Sequence, residues 1–154
     1  MSRFAYVDAP DDATSSGGGL LASTSRDHAS IQSVATTSTS FADVDATNLA
    51  VTFEVPDSGE VIVVMNAIVG NSSVNSAFWG LREGGANVAG SDMSMWQIVG
   101  AARVTYHCKI TGLTPGASKT WKWSHAVNGG ATFTLYYGAE LGPATMEVWE
   151  VPLA

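Results

Sequence analysis

Hydrophobic and polar residues alternate with a period of two over most of the chain that follows residue 40. The segments 49–55 (LAVTFEV) and 102–110 (ARVTYHCKI) each place apolar side chains on one face and more polar ones on the other. Such alternation is typical of β-strands with one buried face, and no stretch after residue 40 has a convincing helical spacing. About seven to nine strands predict an all-β fold, an antiparallel β-sandwich, with less than about one-tenth helix.

One segment departs from this alternation. Residues 60–70 (EVIVVMNAIVG) are apolar on both faces from Val61 to Val69. A strand of this kind is covered on both sides, by the core and by a further layer or a neighbouring subunit. We therefore predict a homotrimer with this strand close to the subunit contact or under the N-terminal segment. Val61 and Val63 are the candidates for the interface.

The stretch 110–123 (ITGLTPGASKTWKW) has the form of a strand end, a tight turn and a new strand. Pro115 fixes its own φ angle, while Gly112 and Gly116 supply permissive backbone. The stretch resembles the segment of fibronectin type III domains that crosses between sheets. The chain is longer than that module, and its first tryptophan, Trp79, comes too late for the early-strand tryptophan of the family. We interpret the stretch as a sandwich corner.

The first 40 residues have a different composition, rich in Ser, Thr, Gly and Asp and poor in large apolar side chains. Such a segment cannot by itself bury enough surface to offset its ordering entropy. A disordered tail and an arm held by a partner surface both fit this composition. We divide the chain into an extended N-terminal arm, residues 1–40, and a β-sandwich domain, residues 41–154. The partner-binding candidates of the arm are Phe4, Tyr6, Leu20 and Leu21.

Charge and cysteine content narrow the classes of partner. The 154 residues carry a formal net charge of −7, and only 14% of them are charged. Nucleic acid and anionic membrane are excluded as partners because either would need a basic patch. The single cysteine, Cys108, permits no intrachain disulfide, and its place in an alternating strand predicts a small buried hydrophobe. No signal peptide and no membrane-length apolar run are visible, so we expect synthesis in a cytoplasm.

Candidate catalytic and metal-binding residues are few. His28, His107 and His125 lack a metal-ligand spacing with a third partner. Asp43 and Asp45 form a carboxylate pair that would suit glycoside hydrolysis or calcium, but a solvated pair at a strand entry is the favoured interpretation. We therefore expect no enzymatic activity, no cofactor and no metal.

Five tryptophans are many for this length. An exposed aromatic platform could stack on sugar rings, but Trp121, Trp123 and Phe133 have inward parity on their strands and are predicted to lie in the core. Trp96 follows the segment 91–95 (SDMSM) in a predicted loop. It is the best single candidate for an interface or ligand contact, and a subunit interface is favoured over a glycan.

Four phrases between residue 40 and the end carry a broader resemblance. They are DVDATNLAVTFEVPDSGEVIVV, FWGLREGGANVAGSDM, ITGLTPGASKTWKW and GPATMEVWEV. Together they resemble small β-sandwich structural proteins of tailed bacteriophages, particularly those of actinobacterial hosts. The resemblance implies a jelly-roll-like sandwich, often trimeric, that is attached to the virion through an N-terminal arm. It transfers no catalytic residues.

The function expected from this resemblance is that of a capsid decoration or cement protein. It would bind the major capsid protein and copies of itself, and it would stabilise the phage head by binding only the assembled shell. The alternative is a tail-fibre tip or minor tail protein that binds a host-surface glycan. A secreted carbohydrate-binding or adhesion module is a third interpretation, disfavoured because no signal peptide is seen.

Overall fold

A computed structural model describes residues 18–73, 76–95 and 100–153. Two antiparallel six-stranded sheets pack face to face in these residues, which confirms the predicted β-sandwich. The described chain contains no α-helix, only a 3-10 turn at Ala139–Leu141. Accordingly, none of its segments is a helix long and apolar enough to cross a membrane.

The first sheet, called here the β5 sheet, is organised around its longest strands. Strand β9 pairs with β5 along its whole length, while β12 and β11 share the other side of β5. Strands β1 and β2 then pair with β12 and β11 and form the outer edge. The six strands are β1 (Leu20–Arg26), β2 (Gln32–Thr36), β5 (Val61–Asn71), β9 (Gly100–Ile110), β11 (Phe133–Tyr137) and β12 (Ala144–Glu150).

The second sheet, the β10 sheet, is built in the same way. Strand β10 pairs with β6 on one side and with β3 and β4 on the other, while β7 and β8 pair with the far side of β6. The six strands are β3 (Ala42–Asp43), β4 (Ala50–Glu54), β6 (Ala77–Glu83), β7 (Ala86–Asn87), β8 (Met93–Met95) and β10 (Ser118–Val127).

The core lies between the sheets and is filled by their inward-facing alternate residues. Trp79 and Trp123 pack edge to face with ring centroids 4.6 Å apart, and Phe53 packs in the same way on Trp121 at 4.9 Å. Trp121, Trp123 and Phe133 are almost completely buried, which confirms their predicted place in the core. Truncation of such a side chain to alanine typically costs about 3–5 kcal/mol of stability.

The corner predicted at 110–123 is confirmed, because β9 belongs to one sheet and β10 to the other. Gly116 has φ +73°, a value that favours glycine, and the Ala117 N–H donates to the Thr114 carbonyl at 3.2 Å. The Gly116 N–H donates to the Val55 carbonyl at 2.9 Å, and the Leu113 N–H donates to the Gly59 carbonyl at 3.0 Å. The turn is therefore tied to the ends of the two neighbouring strands.

The domain boundary predicted at residue 41 is wrong, since the sandwich already includes β1 and β2. Strand β1 pairs with β12 from Leu20 opposite Trp149 to Arg26 opposite Ala144. Its backbone hydrogen bonds to β12 and its position at an edge, where little apolar surface is needed, allow a Ser- and Thr-rich sequence to form a strand. Leu21 packs against the core of its own chain, which contradicts its role as a partner-binding residue of a free arm. Leu20 is 49% exposed.

Candidate binding surfaces

The outward-facing residues of β5 form an apolar row on the outside of the β5 sheet. Ile62, Val64 and Ile68 alternate with fully buried residues and are themselves half-buried. Cross-strand pairing extends the row, because Trp149 lies opposite Ile62 and Tyr136 lies opposite Ile68. We call these five residues the outer stripe. A sheet face that meets water usually carries polar residues, so an apolar row at its centre is suited to contact with a protein surface.

Polar side chains around the outer stripe are paired within the chain. Lys109 Nζ lies 2.6 Å from Glu60 Oε2, and Arg103 Nη1 donates to Asn66 Oδ1 at 2.6 Å. The Trp149 ring N–H donates to Glu147 Oε2 at 2.9 Å. These pairs hold the polar groups beside the stripe and leave its apolar atoms as the accessible part.

The prediction that Val61 and Val63 form a subunit interface is wrong. Both side chains are completely buried between the two sheets, so they cannot touch another subunit. Because β5 is apolar at every position but one from Val61 to Val69, the sequence could not decide which parity faces inward. In the structure, the odd-numbered residues from Val61 to Val69 face the core and the even-numbered ones face outward.

The segment 38–44 runs beside β10 and includes β3, and its Phe41 side chain extends over the outside of the β10 sheet. The Val127 N–H donates to the Ser38 carbonyl at 2.9 Å, and the Val44 N–H donates to the Trp123 carbonyl at 2.8 Å. Between these bonds, Phe41 extends over the sheet to Gly80 on β6. A Cβ atom at Gly80 would lie 3.1 Å from Phe41 Cε1 and 2.8 Å from Asp92 Oδ1. The missing side chain lets an aromatic ring and a carboxylate approach the same point of the strand.

A surface cavity of about 410 Å³ lies beside this point. Its lining is mostly apolar, with one carboxylate and one hydroxyl, and the residues are Thr39, Phe41, Phe78, Asp92, Met93 and Ala126. We call it the Phe41 cavity. Asp92 has no hydrogen bond or ion pair with any other residue that the structure describes. The sequence interpretation missed Phe41 and Phe78, although a glycine inside β6 was a signal of a close approach at this strand.

Another cavity, of about 300 Å³, lies near the end of β1 and is more polar. Arg26 lines this cavity and forms an ion pair with Asp45, with 2.6 Å between Arg26 Nη1 and Asp45 Oδ2. Its guanidinium also lies 4.5 Å from the centroid of the Tyr137 ring. These contacts use the charge of Arg26 within the fold.

The predicted carboxylate pair is divided between two structural roles. Asp43 pairs with Arg82 at 3.0 Å and with Lys122 at 3.5 Å. Asp45 accepts backbone N–H groups of Thr47 and Asn48, each at 3.0 Å. Burial acts to raise the pKa of Asp45, but these hydrogen bonds, the Asn48 side chain and Arg26 outweigh it and lower the pKa. Both carboxylates stabilise the fold, and no metal-binding group of three or more His, Cys, Asp or Glu side chains occurs in the described ranges.

The histidines and the cysteine are also dispersed. His125 is 2% exposed, with its ring 6.1 Å from Phe133, and burial lowers its pKa to about 4. His107 is exposed on the outer side of β9, while His28 lies in the loop between β1 and β2 and contacts Ser30. Cys108 is buried, as predicted, and burial raises the pKa of its thiol to about 11.

Three residues singled out from the sequence, Phe4, Tyr6 and Trp96, lie outside the described residues. Their predicted contacts with a partner remain predictions. The described chain begins beside its own end, because the Glu150 N–H donates to the Gly19 carbonyl at 2.8 Å. Gly18 and Gly19 therefore lie beside the end of β12.

No protein-family model matches the chain, and no curated protein matches it. A solved structure described as "CBM4 structure and function", a carbohydrate-binding module, matches with 11% sequence identity and a TM-score of 0.39. The match covers 81% of this chain and 94% of that one.

Proposed function

We propose that this chain is a non-enzymatic structural protein of a tailed-phage particle, in which copies of the sandwich associate through the outer stripe. The proposal places it on the head surface as a decoration protein bound to the major capsid protein. The resemblance of four sequence phrases to phage structural proteins supports the virion role. The observation that carries the self-association is the apolar outer stripe at the centre of an otherwise polar sheet face.

The chemistry of the stripe favours a second copy of the chain over a charged ligand. Its centre consists of aliphatic and aromatic side chains. Burial of such apolar surface stabilises a contact by about 25 cal/mol per Å². The side chains around it carry both signs of charge, Lys109 and Arg103 against Glu147. In a trimer, copies of this patch would meet around the threefold axis, where side chains of both signs avoid a net excess of like charge. By the resemblance, the assembly is a trimer.

The first experiment measures mass in solution by light scattering at micromolar concentration. Val64→Glu places a charge in the middle of the stripe and is expected to convert the trimer to a monomer. Thr52→Glu is the matched control, because Thr52 is exposed on the outside of the other sheet, opposite Thr120. It should leave the trimer intact. A wild-type protein that is monomeric throughout would refute the self-association.

The second experiment tests attachment to the particle. Deletion of residues 1–17 keeps β1 complete and should leave a folded sandwich that no longer co-sediments with undecorated heads. Phe4→Ala combined with Tyr6→Ala should weaken the attachment without changing the melting temperature. If the truncated protein binds heads as well as the full chain does, the sandwich itself makes the contact.

The alternative location on the tail is tested in the same assay. Isolated tails are sedimented beside heads, and binding to tails alone would replace the decoration role with that of a tail protein. That outcome would leave the self-association through the outer stripe unaffected, because the mass measurement does not involve the particle.

A further inference from the structure

The Phe41 cavity contains an exposed carboxylate, Asp92, that has no hydrogen bond or ion pair with another described residue. Asp43 is paired with Arg82 and Lys122, and Glu83 is paired with Lys119 at 3.0 Å. Asp92 stands apart from these pairs, beside two phenylalanine side chains that line the same cavity. A cation held there would have the carboxylate as its counter-ion and the aromatic rings as walls.

We propose that the Phe41 cavity binds a fully alkylated ammonium group of the choline type. This site lies on the sheet opposite the outer stripe, so it does not depend on the proposed self-association. The cavity volume of about 410 Å³ falls within the range of about 300–1,000 Å³ that is usual for small-ligand sites. The net charge of −7 also favours a cation over an anion.

The lining distinguishes an alkylated ammonium from a lysine side chain. A primary ammonium carries three N–H donors, and each needs an acceptor when water is displaced. Only two lining side chains, Thr39 and Asp92, can accept a hydrogen bond. The remaining four present aromatic rings, a thioether and a methyl group, which suit methyl groups on nitrogen. A quaternary ammonium needs no hydrogen bond, only a counter-charge and apolar contact.

A neutral sugar is the less favoured occupant for a related reason. A pyranose carries several hydroxyl groups, and directional hydrogen bonds from the protein normally fix its orientation. Asp92 and Thr39 are few for that task, while a single carboxylate is sufficient for one positive charge. The absent side chain of Gly80 lets the carboxylate and the ring lie side by side, since Asp92 Oδ1 and Phe41 Cε1 are 2.8 Å and 3.1 Å from the position that a Cβ atom of Gly80 would take.

The test uses the full chain, with choline as the probe, in a titration followed by amide chemical shifts or by calorimetry. We expect saturable binding with Kd near the millimolar range, weakened when salt is added. The matched neutral probe is 3,3-dimethyl-1-butanol, which has the shape of choline without its charge, and it should bind at least about tenfold more weakly. Absence of saturation by about 50 mM choline would overturn the proposal.

Variants locate the site. Asp92→Asn keeps the shape and removes the charge, and it should weaken choline binding about tenfold without changing the melting temperature. Phe78→Leu keeps an apolar wall and removes the ring, and it should weaken binding several-fold. Asp57→Asn, in the exposed turn before β5, is the control and should bind as the wild type does. Equal losses in Asp92→Asn and Asp57→Asn would show a general charge effect and refute the site.

Two further probes test the chemical class. Nα-acetyl-lysine methylamide binding more tightly than choline would assign the cavity to a protein side chain, and methyl β-D-glucopyranoside binding more tightly would assign it to a glycan. Either result would overturn the proposed alkylated ammonium.

Discussion

Strands β5 and β10 occupy equivalent places at the centres of their sheets, yet the chain treats their outer faces differently. From Trp123 to Val127, every residue of β10 is buried, on both faces. On β5, residues Ile62 to Ile68 alternate between buried and half-buried. The Phe41 side chain extends over the outside of the β10 sheet as far as Gly80, and no described side chain from outside the strands does the same for β5. A strand that is apolar on both faces therefore need not be covered by a further layer among the described residues.

The difference also gives the two surfaces different shapes. Cover over the β10 sheet is incomplete, and the gap beside Phe41 and Gly80 is a cavity of small-molecule size. The β5 sheet has no comparable cover among the described residues and presents the outer stripe, which is interrupted only by Asn66 between Val64 and Ile68. A concave site suits a small ligand, whereas an apolar row across several strands suits another folded surface.

The largest expected effect on stability comes from introducing a glutamate on the outer face of each central strand, at Ser124 of β10 and at Val64 of β5. Ser124→Glu and Val64→Glu each put a carboxylate opposite an existing one, since Ser124 pairs with Asp43 and Val64 with Glu147. Ser124 is completely buried, so its variant should lose more than about 3 kcal/mol of stability. Val64 is half-buried, so the loss for the monomer should be about 1 kcal/mol or less.

Urea denaturation at a concentration where the protein is monomeric measures both losses. Equal losses for the two variants would show that the outer face of β5 is as well covered as that of β10, and the contrast between the strands would be wrong.

The second effect concerns pH and is specific to β10. Burial lowers the pKa of His125 to about 4 from the usual 6.5, so below pH 6.5 the unfolded chain binds a proton that the folded chain excludes. Stability should therefore fall as the pH drops from about 6.5 to about 4, by up to about 3 kcal/mol from this group. His125→Gln should flatten that part of the pH dependence. His107→Gln, on the exposed face of β9, is the control and should leave the slope unchanged.

A result in which His125→Gln and the wild type lose stability in parallel between pH 6.5 and pH 4 would contradict the burial of a neutral histidine. A loss shared by both proteins reports other groups, and Asp45 adds little to it, because a lowered pKa removes stability mainly below the ordinary value of 3.8.

Much of this fold could be predicted from period-two alternation, and the exceptions have physical reasons. The two sheets, the corner at Pro115 and the buried tryptophans follow from patterns that one-sided burial imposes. Strands β1 and β2 were missed because edge strands need few apolar residues. The parity of β5 was undetermined because both of its faces are apolar. The Phe41 cavity could not be predicted because its lining residues are far apart in the sequence. Only the glycine at position 80 indicated a close approach at β6.

A third, smaller effect tests the close approach at Gly80. Gly80→Ala puts a methyl group 2.8 Å from Asp92 Oδ1 and 3.1 Å from the Phe41 ring, so both side chains must move. We expect a loss of about 1–2 kcal/mol in thermal or urea unfolding. Gly129→Ala is the control, because a Cβ there meets nothing within 4 Å. If Gly80→Ala leaves the free energy of unfolding unchanged, Phe41 is not held against the sheet.

The smallest effect compares one ion pair from each outer face. Lys109 and Glu60, beside the outer stripe, are 2.6 Å apart, but the lysine side chain is 50% exposed. Arg82 and Asp43, on the β10 sheet, are 3.0 Å apart, with side chains only 22% and 26% exposed. Water screens the first pair more strongly, so its coupling energy should be no more than about 0.5 kcal/mol, against about 1 kcal/mol for the second.

Double-mutant cycles that combine Lys109→Gln with Glu60→Gln, and Arg82→Gln with Asp43→Asn, measure both coupling energies. The first should vanish in high salt and the second should persist in part, because ions reach an exposed pair more readily than a half-buried one. Asp43 also contacts Lys122, so the second cycle is repeated in a Lys122→Gln background. A larger coupling energy for Lys109 and Glu60 would contradict the inference that the outer face of the β5 sheet is more accessible to water than that of the β10 sheet.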